Sequence, residues 1–136
     1  MASTDRPDKY ISDYDAEKLI LALHACPHGV IGMSHDIEGL VETSTNLASV
    51  KMGDDSTIIV GTSQRSSIES CKNMIANQVA SVFKLAGAQV THGDGYPGWR
   101  LTRIQTILKV AQETYKRLFN KMQNMAIHAG LECGLS

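Results

Sequence analysis

Residues 40–65, LVETSTNLASVKMGDDSTIIVGTSQR, decide the fold. Val41, Thr43 and Thr45 alternate with polar neighbours, the period of a strand with one covered face, and the stretch is rich in the β-branched residues that pleated sheets favour. Gly53-Asp54-Asp55-Ser56 has the composition of a turn, and Thr57 to Arg65 resumes the β-branched pattern. The segment therefore predicts an antiparallel hairpin, and everything else must pack around it.

Immediately after the hairpin, Ser66 or Ser67 is placed to cap a long helix. Ile68, Cys71, Ile75, Val79, Val82 and Ala86 fall on one stripe of it, and Gly87 supplies a left-handed C-terminal cap. Before the hairpin, Gly29 to Ser34 predicts a first strand. Ser12 with Asp15 resembles a capping box opening a helix with Ala16, Leu19, Ile20 and Leu23 at helical spacing, which Pro27 and Gly29 end. Downstream, Ala88 to Thr91 reads as a short strand, and Gly93, Gly95, Pro97 and Gly98 as turns around Tyr96 and Trp99. A third helix spans about 102–119, with Ile104, Ile107, Leu108, Ala111, Tyr115 and Leu118 on its buried side, and Met125 to His128 forms a last strand. This order predicts an α+β fold: an antiparallel or mixed sheet with helices packed on one face, a two-layer sandwich.

At 136 residues, 43% hydrophobic and 20% charged, the chain suits a packed domain. A net charge of -1 and 5% aromatic residues argue against nucleic acid and against an anionic membrane surface as partners. No apolar run approaches the roughly 20 residues that cross a bilayer, and Met1 to Lys9 is polar, so a cytoplasmic protein is expected. Cys26, Cys71 and Cys133 are odd in number and widely spaced, as reduced thiols are.

Three stretches are too particular to follow from packing alone: Val41-Glu42-Thr43-Ser44-Thr45-Asn46, Tyr96-Pro97-Gly98-Trp99 and Ile127-His128-Ala129-Gly130-Leu131-Glu132-Cys133-Gly134. With Arg65-Ser66-Ser67 before a helix, in this order and spacing, the chain resembles the aminoacyl-histidine dipeptidase (peptidase D) family from about Asp15 onward. It departs from the family pattern at Arg100-Leu101-Thr102-Arg103 and at His28, where an asparagine is usual.

The resemblance implies a larger two-domain zinc peptidase that hydrolyses Xaa-His dipeptides in the cytosol. Against that parent, residues 1–12 form a frayed lead-in, 13–100 correspond to the second part of the lid domain, and 101–136 to the helix and strand returning to the catalytic domain. Family-derived substrate-binding candidates are Arg65, Asn46, Gly130 and His128. Arg65 matches a lid arginine that grips either the dipeptide's C-terminal carboxylate or the developing oxyanion, a task suited to a two-pronged guanidinium. Asn46 offers an amide to a substrate carbonyl or amine. Gly130 sits in a loop resembling the active-site wall, with His128 and Glu132 placed to polarise or orient it. A local structural role remains open for each.

Zinc hydrolysis needs converging imidazoles and carboxylates with a free carboxylate as general base. The family's ligands lie outside the matching region, His92-Gly93-Asp94 has the right spacing in the wrong place, and Pro27 interrupts the His24/His28 pair. Zinc is thus implied for the full-length family, with none expected for this chain alone, and no catalytic residue is assigned. The expected partner is a dipeptide. A second reading is a non-catalytic α+β module that associates with itself or with a full-length relative through an exposed sheet edge, and a third is a ligand-sensing domain that keeps the Arg65 contact.

Overall fold

The computed structural model describes residues 10–95, 106–119 and 128. Its elements run α1 (Asp13–Ala25), β1 (Gly29–Met33), β2 (Val41–Met52), β3 (Ile58–Ser66), α2 (Glu69–Leu85) and α3 (Thr106–Phe119). The strands form one antiparallel sheet in the order β1-β2-β3, and α1 and α2 pack together on one of its faces. This is the expected α+β arrangement.

Local chemistry sets the boundaries. At the start of α1, the Ser12 hydroxyl accepts the Asp15 N–H at 3.1 Å and donates to the Asp15 carboxylate at 2.7 Å, so the shortened capping box works. The helix ends at Cys26, ahead of Pro27. Helix α2 closes on Gly87, whose φ of 85° is open to glycine at little cost. Gly87 N–H donates to Lys84 C=O and Ala88 N–H to Phe83 C=O, the paired bonds of a Schellman cap. Its beginning differs from expectation. The first helical residue is Glu69, and the Ser66 hydroxyl instead accepts the Ile68 N–H at 3.0 Å while bonding Thr43, so Ser66 shapes the entrance to the helix from within the sheet.

The β2–β3 turn closes with Gly53 N–H on Thr57 C=O at 2.8 Å. Ser56 takes the left-handed position at φ 66°, and the Asp55 carboxylate accepts both the Thr57 N–H and its hydroxyl. Those two bonds hold the Asp55 carboxyl below its ordinary range.

The core lies between the helices and the sheet. Ala22 and Cys26 of α1 and its end meet Val79 and Phe83 of α2, with Leu23, Leu47, Val60, Val82 and Val90 around them. Ile75 is wholly buried on the α2 stripe. Burial raises the Cys26 thiol above its usual range, and Cys26 and Cys71 are free.

Three further sequence expectations need correction. Ile20 is exposed, because the inward face of α1 runs through Leu19, Ala22, Leu23 and Cys26. Residues 88–91 form no strand: Val90 alone anchors the segment to the core, without ladder bonds. On α3, Ala111, Tyr115 and Leu118 are exposed, and among the described residues this helix packs on no other element. Amphipathic spacing announced an apolar face; it did not supply a neighbour to cover it. The Tyr96 to Trp99 turn and the Met125 to Ile127 part of the last strand lie outside the described residues.

Candidate functional site

Along β2, Thr43 and Thr45 are buried toward the helices, so Glu42, Ser44 and Asn46 belong to the other face. Strand β3 matches: Ser66 is buried, while Ser63 and Arg65 are exposed. The register sets Ser44 opposite Arg65 and Asn46 opposite Ser63, so the four side chains share one patch of the face that, among the described residues, carries no helix.

A β-bulge creates that register. From the turn upward, Val50 pairs with Val60 and Ser49 with Gly61, a sequence that would continue to Thr45 opposite Arg65. Ala48 is an extra residue on β2, and beyond it the pairing has moved by one. Gly61 makes the close approach possible, since a Cβ there would lie 2.7 Å from the Ser49 hydroxyl oxygen. Beside the bulge, the Leu47 N–H has run past the end of β1 and donates to His28 Nδ1 at 3.0 Å. His28 stands in for a missing strand neighbour.

His128 completes the patch from far along the chain. Its Nε2 lies 2.7 Å from Ser44 Oγ, and Ser44, Asn46, Ser63, Arg65 and His128 line a recess of about 240 Å³. Burial, then the nearby Arg65 charge, hold the His128 imidazole below the ordinary histidine range, which leaves it neutral at neutral pH. The Arg65 and Asn46 side chains make no hydrogen bond or ion pair with another described residue. A cation, an amide and two hydroxyls directed at one small volume suit a carboxylate.

A larger cleft of about 700 Å³ lies at the other end of the hairpin, between α1, the end of α2 and the β2–β3 turn. Two of its charged groups are engaged locally: Asp15 with Ser12, and Lys18 over the Tyr14 ring at 4.2 Å. The smaller recess is where unengaged polar groups converge.

Of the residues expected from sequence, Arg65, Asn46 and His128 come together here, while Gly130 and Glu132 lie outside the described residues. Ser44 and Ser63 were missed. Alternation from Asn46 points to Ser44 and from Arg65 to Ser63, but which of them face each other across the strands follows only from the bulged register. His92 and Asp94 are exposed, and among the described residues no three His, Cys, Asp or Glu side chains group as a metal site. The recess does not fit zinc either, because it offers one imidazole beside a guanidinium that would repel a cation.

No family model matches the chain. It is 42% identical over 120 residues to the cytosol non-specific dipeptidase of Escherichia coli strain K12, a match covering 88% of this chain and 24% of the relative. In three dimensions it resembles the aminoacylhistidine dipeptidase from Vibrio alginolyticus, with a TM-score of 0.81 and 36% identity over 98% of this chain and 27% of that one. The chain spans about a quarter of the length of each. Sequence motifs, sheet topology and both relatives agree that this chain is similar to one part of a dipeptidase.

Proposed function

We propose that the chain is the substrate-clamping part of a cytosolic, zinc-dependent dipeptidase that hydrolyses Xaa-His dipeptides. Arg65 grips the C-terminal carboxylate, with Asn46 and His128 ordering the peptide beside it and Gly130 forming part of the wall. The observation that carries this reading is the unengaged Arg65 facing Asn46, Ser63 and His128 across one recess. In a whole enzyme, zinc would be held by residues outside this chain and would supply the activated water; this chain's residues hold the dipeptide. Residues 13–100 belong to the lid and 101–136 to the return into the catalytic domain. The exposed Val110, Tyr115, Leu118 and Phe119 of α3 support that division, as side chains awaiting a partner surface.

Calorimetric titration with alanyl-histidine tests the clamp. Wild type is expected to bind, and Arg65→Ala to bind about 10- to 100-fold more weakly, the value of a charge-assisted bond. Equal affinity removes Arg65 from the site. With zinc added, the chain alone is expected to leave the dipeptide intact, and zinc-dependent turnover would overturn the division of labour.

A second reading rests on β1, which among the described residues is an edge strand paired on one side only, with Val30, Ile31 and Met33 at 57%, 41% and 47% exposure. Such an edge favours self-association. Mass that rises with concentration in light scattering supports it, and a strict monomer at all concentrations removes it.

A further inference from the structure

Ser44 has two prospective partners. Its hydroxyl sits 2.7 Å from His128 Nε2, and its strand position is directly opposite Arg65, where the proposed carboxylate would lie. A hydroxyl has one proton to donate, so it cannot donate to the imidazole and to an anion together. With the recess empty, the ring is neutral, and the Ser44 O–H can donate to an unprotonated Nε2.

A carboxylate in the recess reverses each term. It offsets the Arg65 charge, and it competes for the Ser44 proton as an acceptor-only group. If the ring takes up a proton, its Nε2–H donates to Ser44 Oγ, and the Ser44 O–H is released to donate to the carboxylate. No bond other than N–H is formed, and the proton comes from solvent. We propose that Ser44 is a positioning residue whose hydroxyl turns between His128 and an incoming carboxylate, so that the recess takes up a proton together with the anion. This rests on the clamp reading above and deepens it.

Among the described residues, the charges around His128 are few. Arg65 faces it from β3, Glu42 occupies the same face of β2 two residues before Ser44, and β1 carries no ionisable side chain. Burial and Arg65, not Glu42, are what shift the ring, so the change on binding comes from the ligand. The sign follows: binding raises the ring's pKa from its depressed value, hence affinity grows as pH falls through the bound-state pKa and levels off below the free-state one.

The probe is acetyl-alanyl-alanine, whose blocked amine leaves no group titrating near neutrality, in calorimetry with buffers of different ionisation enthalpy. Wild type is expected to absorb protons on binding and to bind about three- to tenfold tighter at about pH 6 than at about pH 7.5. Ser44→Ala should flatten that dependence and Ser44→Thr restore it, which a merely structural role would not do. Ring-nitrogen NMR of wild-type His128 gives a second readout: its pKa should rise on adding the dipeptide. Arg65-dependent binding with no proton uptake overturns this proposal and leaves the clamp standing. Absence of binding at either pH overturns both.

Discussion

The two faces of the β2–β3 hairpin are built from nearly the same small polar residues and behave oppositely. On the helix side, Thr43, Thr45 and Ser66 are buried, and their hydroxyls are satisfied within the protein: Thr43 bonds Ser66 at 2.8 Å, and Gln64 donates to Thr45 and Thr62. On the other side, Ser44, Asn46, Ser63 and Arg65 line an open recess, with only Ser44 bonded, to His128. Burial without partners costs about 1–3 kcal/mol per polar group, so the covered face must close its hydrogen bonds internally. The open face is under no such demand and can keep donors for a ligand. The same chemistry thus serves stability on one side and recognition on the other.

Substitutions can break this contrast, beginning where the covered face is most apolar. Ile75→Ala should destabilise by about 2–5 kcal/mol in denaturant unfolding, since the side chain is wholly buried. A loss below about 1 kcal/mol would mean the helices do not seal that face.

Next comes the buried hydroxyl pair. Ser66→Ala should cost about 1–3 kcal/mol, because it strips partners from both the Thr43 hydroxyl and the Ile68 N–H. Adding Thr43→Val should cost less than it does alone, a coupling of about 0.5–3 kcal/mol in the double-mutant cycle. Strict additivity would say the two hydroxyls do not need each other.

Smaller again is the effect at the bulge. His28→Ala should cost about 0.5–1.5 kcal/mol by leaving the Leu47 N–H to water, whereas His28→Asn should recover most of it, since an amide oxygen can accept the same bond. Equal loss in both would show that the imidazole acts by packing.

Much of the covered face was legible in the sequence, because burial imposes periodicity. The hairpin, the α2 stripe and the Gly87 stop all follow from residue type and spacing. The open face was only half legible. Arg65 and Asn46 stood out through family resemblance, but their true neighbours depend on one extra residue at Ala48. Nothing in Leu47-Ala48-Ser49 announces a bulge, and without it Arg65 would face Thr45. The exposed Ile20 and uncovered α3 mark a different limit: apolar spacing reveals a face that wants covering, while the covering surface is set by tertiary structure.

The central claim is that the recognition face is the helix-free one. Amide and ring NMR during titration with alanyl-histidine tests it most directly. The account predicts shifts concentrated at Ser44, Asn46, Ser63, Arg65 and His128, lost in Arg65→Ala, while that variant keeps wild-type stability within about 0.5 kcal/mol. Shifts centred instead on Lys18, Phe83 and Gly87, in the cleft at the far end of the hairpin, would contradict it.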